Sequence, residues 1–206
     1  MIEPILFIEQ GWKWITPPAG ALQVIEKAGR TCYKSEAQIT PGSAKKFVAS
    51  LIKRGHESVI EHAVASVLFI TNRGVTHELV RHRLASFSQE STRYVNYKSR
   101  GLQFILPVWW SQATDTHRRI FTEACRSAAK SYHDLLADGW RPEQAREVLP
   151  NALKTEIVVT ANLREWRHIF RQRCAPPAHP QIRQLMSSLL AGFTEIVPDL
   201  FTDIKF

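Results

Sequence analysis

Apolar positions along the chain recur at two spacings, and together they predict a mixed α+β fold. Over Asp115 to Ala137, apolar side chains return every three or four residues, the pattern of a helix that buries one face. The same spacing predicts helices over Leu163 to Cys174 and over Gln181 to Ile196. Helices outnumber strands and do not alternate with them as βαβ units, so the order of elements favours α+β over a doubly wound sheet.

Strands are expected where β-branched and aromatic residues cluster between turn signals. These runs are 5–8, 62–72, 102–106 and 154–160. Shorter helices are expected over 19–29, from Ser43 to Gly55, after Thr76, and from Pro142 to Pro150. Ser43 and Thr76 are the expected N-caps of the second and third of these helices. The run 86–91 (SFSQES) breaks helical periodicity, and we interpret it as a loop. No linker or repeat interrupts the pattern, so residues 1–206 are expected to form a single compact domain.

Composition argues against several classes of protein. With 44% hydrophobic and 22% charged residues, the 206-residue chain has the make-up of a globular protein rather than a disordered one. No apolar run reaches the ~18 residues of a membrane span, and the acidic start predicts no signal peptide. Three well-separated cysteines without a CxxC pair argue against structural zinc and predict a reducing, cytoplasmic location.

The net charge of +8 indicates anionic partners. Nucleic acid, a membrane surface and small phosphorylated ligands all satisfy this condition, and composition does not choose among them. No GxGxxG and no GxxxxGK[ST] sequence occurs. Phosphate groups would therefore be held by arginine rather than by a glycine-rich loop.

The densest cluster of polar groups spans residues 81–94 (RHRLASFSQESTRY). It holds three arginines, a histidine and four hydroxyl-bearing residues that precede the final tyrosine. A guanidinium group binds oxyanions through two parallel hydrogen bonds, so this set suits phosphate oxygens. The alternative is a solvated basic surface beside a serine-rich turn.

A second cluster, residues 56–62 (HESVIEH), invites a zinc interpretation that its spacing argues against. The two histidines are six residues apart and would face apart on a helix, whereas zinc-binding helices use a spacing of four. We therefore predict no metal. Two interpretations remain: a polar edge of a ligand site with Ser58 as a donor, or a helix end at which histidine and glutamate satisfy each other.

The predicted helix over Leu163 to Cys174 is crowded with arginine without matching acids. Trp166, Ile169 and Phe170 are expected on its buried side, and the arginines form either a ligand site or a nucleic-acid stripe. Paired tryptophans elsewhere suit stacking on bases, but core or rim packing is their commoner use. Arg146 lies three residues after Glu143, so it forms either a surface ion pair or a ligand contact.

These clusters resemble the signatures of one enzyme family. Arg81-His82-Arg83, followed after seven residues by Ser91, is similar to the RHRX7S signature of the flavin-dependent thymidylate synthases. Four further blocks match that family in order: RTCY at 30–33, HESVIEH at 56–62, AREVLP at 145–150, and the arginine helix at 162–173. Five ordered blocks are far more specific than the three-residue RHR alone.

The resemblance implies the conversion of dUMP to dTMP. The one-carbon unit would come from 5,10-methylenetetrahydrofolate, and NADPH would reduce a bound FAD that supplies the hydride. The family fold is a twisted mixed sheet flanked by long helices, assembled as a homotetramer with shared active sites. The partners would then be dUMP, folate and NADPH, with no nucleic acid and no membrane. The rival hypothesis is a non-catalytic, basic protein that binds single-stranded nucleic acid through arginine and tryptophan.

Site residues follow from the same resemblance. FAD would be bound by Ser58, Arg81, His82, Arg83, Gln89, Asn162, Arg164 and His168. dUMP would be bound by Glu78, Arg81, Gln89, Glu90, Ser91, Thr92, Arg93, Arg146 and Arg173. Arg173 is the predicted catalytic residue, because a guanidinium lying against the uracil ring stays protonated and would favour ionisation at N3.

Two details of this assignment concern residue types. Ser91 would bind phosphate and not act as a nucleophile, because the motif places no base beside it. Gln89 stands where some family members carry Glu, and Glu78 stands where they carry Gln. If both reach the same pocket, this exchange keeps one carboxylate there but moves it.

Overall fold

Six strands and eight α-helices make up the regular structure of the described residues, 5–98 and 101–206, in the computed structural model. The strands are β1 (Leu6–Ile8), β2 (Gly11–Thr16), β3 (Val64–Asn72), β4 (Ala85–Gln89), β5 (Gln103–Ile105) and β6 (Lys154–Asn162). The helices are α1 (Ala21–Cys32), α2 (Ser43–Lys53), α3 (Arg73–Leu79), α4 (Asp115–Ala137), α5 (Pro142–Ala145), α6 (Leu163–Arg173), α7 (Pro180–Ile196) and α8 (Pro198–Phe201). The mixed α+β class is confirmed, and α4 has the bounds that its periodicity predicts.

Four strands form one sheet in the order β2-β3-β6-β4, and β1 pairs with β5 in a separate parallel ladder. β3 and β6 are antiparallel neighbours. The Leu163 amide donates to the Ala63 carbonyl, while Ser66 and Thr160 lie 2.8 Å apart, so residue numbers rise on one strand as they fall on the other. Side chains along both strands alternate between buried and half-buried positions, which is typical of a sheet with one face on the core.

An asparagine ends each of these two strands and starts the helix that follows. The Asn72 side chain accepts a hydrogen bond from the Val75 amide, and the Asn162 side chain accepts one from the Glu165 amide, both over 2.9 Å. Each cap satisfies one backbone donor of a helix start. The prediction of Thr76 as N-cap is therefore wrong, because Thr76 lies inside α3.

The start of α2 also differs from its prediction. Gly42 occupies the N-cap position with a φ of 84°, a left-handed conformation that glycine adopts without steric cost. Ser43 is instead the first helical residue. Its hydroxyl donates to the Thr40 carbonyl and lies 2.9 Å from a Glu26 oxygen. The Ser43 side chain therefore bonds to residues outside α2 and does not cap this helix.

Residues 85–89 form β4, which corrects the interpretation of 86–91 as a loop. Exposure alternates along this strand with a period of two, but Phe87 is its only large apolar side chain, so the hydrophobic signal was weak. Strand β2 was not predicted either, although its tryptophans alternate with polar residues. The short helix 57–62 is a 3-10 turn that leads into β3.

The backbone groups into two compact units. Unit 1 consists of the described residues of 1–11, 69–81 and 88–157, and unit 2 of residues 12–68, 82–87 and 158–206. The prediction of a single domain over 1–206 stays a prediction. Among the described residues, no helix combines the length and the apolar character that crossing a bilayer requires.

Each unit has its own buried cluster that fixes a helix near the candidate site. In unit 1, Phe104 and Leu102 pack with Cys125, Ala129 and Tyr132 of α4. In unit 2, α6 completely buries the three side chains that periodicity predicts, Trp166, Ile169 and Phe170, together with Leu163. Trp166 also donates from Nε1 to the Ala65 carbonyl over 3.1 Å, which ties α6 to β3. The polar side of α6 is thereby held in a fixed orientation.

Candidate active site

Three polar side chains of α6 meet His82 in unit 2. His82 is 5% exposed, and its Nε2 accepts a hydrogen bond from Arg173 Nε over 3.0 Å. Its Nδ1 lies 3.5 Å from the Glu165 carboxylate, and Glu165 is 6% exposed. The His168 ring stands edge-on to the His82 ring with centroids 5.8 Å apart. We call these four residues the His82 cluster.

Burial and positive charge keep His82 neutral. Desolvation, with the nearby Arg173 and His168, lowers the pKa of His82 from 6.5 to about 4. Arginine has donors only, so the Nε2 that accepts from Arg173 carries no proton. The ring proton of neutral His82 is thereby assigned to Nδ1, on the side of Glu165.

The same cluster contains three groups that can ligate metals. Ligand atoms of His82, Glu165 and His168 all lie within 4.8 Å of one another. However, the Arg173 guanidinium donates to His82 Nε2 and carries a permanent positive charge. This charge opposes a bound cation, so the geometry favours orientation of side chains over metal binding.

Three arginines of α6 are paired with acids from other parts of the chain, which corrects the interpretation that they lack matching acids. Arg164 contacts Glu61 at 2.5 Å, and Arg171 contacts Glu57 at 3.3 Å. Arg167 is 1% exposed and donates to both carboxylate oxygens of Asp203, at 2.7 and 2.6 Å. Hydrogen bonds from Arg167 lower the pKa of Asp203. These arginines organise the fold around α6.

The pairing of Glu57 and Glu61 with arginine argues against one interpretation of residues 56–62, a helix end at which histidine and glutamate satisfy each other, and the ligand-site interpretation stays a prediction. The acids of this 3-10 turn bond to α6 and not to the histidines at its ends. Ser58 is exposed on the turn, and its hydroxyl has no partner among the described residues. Ser58 thus remains an available donor beside a helix rich in arginine.

In unit 1, a second cluster consists of the segment 91–93, with two hydroxyl groups and one arginine, and of Arg146. Arg146 Nη1 donates to Thr92 Oγ1 over 3.2 Å, and its Nε lies 3.3 Å from Glu147. The ion pair with Glu143, one of the two alternatives for Arg146, is not what the structure has, because Glu143 bonds to Arg141. Ser91 Oγ accepts from the Arg93 amide over 3.3 Å. A hydroxyl group of the turn and the Arg146 guanidinium thus lie together here, which suits the binding of an oxyanion.

Glu90 is engaged by partners that sequence did not suggest. The Tyr97 hydroxyl donates to it over 2.9 Å, and Lys154 Nζ lies 3.3 Å from its other oxygen. Burial and the Glu90 charge raise the pKa of Tyr97, so the phenol stays protonated. Lys154 also contacts Glu156 at 2.5 Å. The carboxylate of Glu90 therefore fixes the turn from within the unit.

Gln89 is held inside unit 1. Its amide nitrogen donates to Thr76 Oγ1 over 3.0 Å and to Thr155 Oγ1 over 3.2 Å, so it ties β4 to α3 and β6. Glu78 lies half-buried on α3. A structural function therefore accounts for the glutamine type at 89.

Arg81 and Arg83 flank His82 in sequence, and both are exposed. Neither guanidinium forms a hydrogen bond or ion pair with the described part of the chain. Two exposed cations without acid partners among the described residues are suited to an external anion.

Comparison with known proteins identifies the family. The model of the family described as thymidylate synthase complementing protein matches residues 15–199. A flavin-dependent thymidylate synthase of Geobacter sulfurreducens is 37% identical over 183 residues, which cover 85% of this chain and 78% of that protein. The chain belongs to the flavin-dependent thymidylate synthases.

Further relatives support this membership. The flavin-dependent thymidylate synthase of Mycobacterium tuberculosis H37Rv is 37% identical over 211 residues, covering 93% of this chain and 83% of that protein. A crystal structure of a UMP/dUMP methylase from Streptomyces cacaoi, bound with 5-Br dUMP, has a TM-score of 0.82. It covers 96% of this chain and 95% of its own at 23% identity, and so shows the shared fold. The nucleic-acid-binding alternative gains no support from these comparisons.

Within this family frame, the structure brings some predicted site residues together inside each unit. His82, His168 and Arg173 meet in unit 2, and Thr92 and Arg146 meet in unit 1. The ligand contacts assigned to them stay predictions.

Sequence reasoning missed other residues at the two clusters, among them Glu165, Tyr97 and Lys154. A signal existed for Glu165, which follows Asn162 by three residues as an acid at a helix start. Tyr97 and Lys154 reach Glu90 only through the fold.

Proposed function

We propose that this protein converts dUMP to dTMP, with 5,10-methylenetetrahydrofolate as the one-carbon donor and NADPH as the reductant of a bound FAD. The observation that carries the proposal is the family match over residues 15–199, because it spans every predicted site residue. The two polar clusters have the chemistry that these anionic ligands need. Such a reaction belongs to a flavin-dependent methyltransferase.

The unit 1 cluster suits the phosphate of dUMP. Ser91, Thr92 and Arg93 would bind it through hydroxyl, guanidinium and backbone N–H groups, and Arg146 is already oriented by Thr92. Glu90 and Gln89 would mainly support the turn, because their side chains are bonded within the unit and the Glu90 amide donates to the Glu156 carbonyl. Arg81 and Glu78 would complete the nucleotide contacts.

Arg173 would act on the uracil ring. A guanidinium stays protonated throughout the physiological range, so it stabilises negative charge that develops on N3 and O4. Its Nε is anchored by His82, which restricts the rotation of the side chain. Restriction matters because electrostatic stabilisation is strongest when the donor is oriented in advance.

The unit 2 residues fit a flavin dinucleotide by the chemistry of their donors. Arg83 and Ser58 are exposed and have no partner in the described part of the chain, and Arg164 of the same unit is half exposed. Asn162 uses its oxygen as a helix cap, which leaves its amide NH₂ to donate. With His82, His168 and Arg81, these groups would hold the pyrophosphate and ring of FAD. When bound and reduced, FAD supplies the hydride that completes the methyl group.

We further propose a homotetramer whose active sites are built from more than one subunit, working in the cytoplasm. The support is the family resemblance in the segments 56–62 and 162–173. Sedimentation of the purified protein tests the assembly: a single tetrameric species is expected, and a stable monomer with full activity would contradict it.

Absorbance spectroscopy tests the proposed reaction. The purified protein is loaded with FAD, treated anaerobically with NADPH with and without dUMP, and then supplied with methylenetetrahydrofolate. We expect a flavin spectrum that bleaches with NADPH, faster when dUMP is present, and dTMP formation in the complete mixture. A protein that takes up no flavin, or that forms no dTMP with flavin bound, would overturn the proposal.

The same preparation addresses the nucleic-acid alternative. A binder of single strands owes its affinity to counterion release and loses it steeply as salt rises. Titration of a labelled oligonucleotide at two salt concentrations therefore separates the two functions.

A further inference from the structure

We propose that Glu165 is a positioning residue for Arg173, acting through His82. The three side chains form one chain of contacts, from the Glu165 carboxylate to Nδ1 of His82 and from Nε2 of His82 to Nε of Arg173. The inference rests on the proposed function, because Arg173 is the predicted catalytic residue. It adds a residue for which the family signatures quoted above assign no ligand contact.

The burial of Glu165 is the first reason. Glu165 is 6% exposed, and its carboxylate faces the His82 imidazole, whose Nδ1 is 3.5 Å away, with His168 also close by. Isolated buried carboxylates are costly, so they occur where a partner uses them. Burial raises the pKa of this carboxyl group. Its position in the first turn of α6 favours the ionised form, since the helix start carries partial positive charge.

The direction of the hydrogen bonds is the second reason. Arg173 can only donate, so Nε2 of His82 must accept and the ring proton must sit on Nδ1. This proton faces Glu165. A carboxylate behind an imidazole fixes both its tautomer and its orientation, as it does in catalytic triads and behind metal-bound histidines.

The arrangement of α6 is the third reason. Glu165 lies at the start of the helix and Arg173 at its last residue, so no direct contact links them along one face. His82 comes from the segment after α3 and spans the gap. Without Glu165, the imidazole loses its acceptor on one side and can rotate, and Arg173 Nε loses a fixed partner.

A double-mutant cycle tests whether Glu165 acts through Arg173. The dissociation constant of dUMP is measured by calorimetry on FAD-loaded wild type, Glu165→Met, Glu165→Gln, Arg173→Ala and the Glu165→Met/Arg173→Ala double variant. We expect Glu165→Met to weaken dUMP binding about tenfold, the cost of one lost orienting hydrogen bond to a charged group. Glu165→Gln keeps an acceptor oxygen for Nδ1–H and should remain within about threefold of wild type.

The decisive comparison is between Arg173→Ala and the double variant. If Glu165 acts through Arg173, adding Glu165→Met to Arg173→Ala changes the dissociation constant by less than about twofold. A tenfold loss in both backgrounds would show a merely structural role and overturn the inference. Wild-type affinity in Glu165→Met would overturn it as well.

Glu26→Met is the matched control. Glu26 is another buried glutamate of unit 2, 2% exposed, and bonds to Arg30 and Ser43 of its own neighbourhood. Its loss removes a buried carboxylate without touching the His82 cluster. Equal losses of dUMP affinity in Glu26→Met and Glu165→Met would identify general destabilisation and overturn the inference.

Solid-state NMR of the ¹⁵N-histidine-labelled holoenzyme tests the inference without dUMP and without any glutamate variant. The His82 signals are assigned by their absence in His82→Gln. We expect a neutral ring with the proton on Nδ1 in wild type; a proton on Nε2, or a charged ring at neutral pH, would overturn the inference. If this tautomer is found but wild type binds no dUMP, the proposed function fails while the contact chain stands.

Discussion

Arg173 and His82 are joined by a hydrogen bond of 3.0 Å, although 91 residues separate them in the sequence. One belongs to the end of α6, and the other follows α3 in the RHR segment. Two of the sequence blocks that resemble the family therefore meet at a single contact within unit 2. Because the histidine is buried and neutral, its Nε2 lone pair is a fixed acceptor for the arginine. This contact is the basis of the first two predictions.

Arg173→Ala is expected to abolish most dTMP formation while FAD remains bound. Removing one preoriented electrostatic donor from an active site typically costs about 10²–10³ in turnover. Flavin content is read from the absorbance of the purified variant, and turnover from dTMP formation. The control is Arg171→Ala on the same helix, because Arg171 contacts Glu57 and lies outside the His82 cluster. A fully active Arg173→Ala enzyme would remove the role assigned to this residue.

His82 makes the stability of the protein fall as the solution is acidified. Its pKa is lowered from 6.5 to about 4 in the folded state, so below pH 6.5 the unfolded chain takes up more protons than the folded one. The contribution of neutral His82 to the free energy of unfolding is therefore fully present above pH 6.5. It declines towards pH 4, by up to about 3 kcal/mol. Urea unfolding between pH 4 and 8 measures the slope.

His82→Gln is the comparison for this slope, because glutamine does not titrate and still offers an oxygen to Arg173. We expect the difference in unfolding free energy between the two proteins to change with pH only below about 6.5. A difference that is constant down to pH 4 would mean that His82 is not held neutral by its surroundings.

How much of this was visible in the sequence depends on how local the signal is. Helix α4 was predicted with its bounds, because the amphipathic pattern of its 23 residues is visible in the sequence without knowledge of what the helix packs against. Strand β4 was missed, since serine and glutamine give a half-exposed strand almost no hydrophobic pattern. The N-cap of α3 was assigned to Thr76, although Asn72 at the strand end is the better cap type.

Site prediction followed the same rule. The family blocks located the arginines of α6 and the RHR segment, but their partners lie far away in sequence. Arg164 bonds to Glu61 across 103 residues, and Arg171 bonds to Glu57 across 114. No spacing rule reports such pairs, so charged residues that stabilise the fold could not be separated from those left for ligands. The fold alone distinguishes paired Arg171 from unpaired Arg83.

Asp203→Asn is expected to destabilise the protein by about 1–2 kcal/mol, because it weakens the two charge-assisted bonds to the buried Arg167. The expected loss of stability is no larger because the Asp203 side chain is 44% exposed and solvent screens its charge. Urea unfolding at pH 7 measures it. Asp199→Asn is the control, as Asp199 has only a 3.9 Å contact with exposed Lys45 and should cost less than about 0.5 kcal/mol. Equal effects in both variants would show that Arg167 does not depend on Asp203.

Thr92→Val is expected to raise the KM for dUMP about tenfold and to leave flavin content unchanged. Valine keeps the shape of threonine but removes the oxygen that accepts from Arg146 Nη1 over 3.2 Å, so the guanidinium loses its orientation beside the turn. Thr92→Ser restores the hydroxyl and should return KM to within about twofold of wild type, which a pure packing effect would not do. The measurement is steady-state dTMP formation at varied dUMP, with flavin absorbance recorded for each variant. A KM unchanged in Thr92→Val would show that Arg146 binds the phosphate without this support, or that the phosphate lies elsewhere. Because Thr92 is 5% exposed, the unfolding free energy of each variant is measured in parallel, so that lost stability is not mistaken for lost affinity.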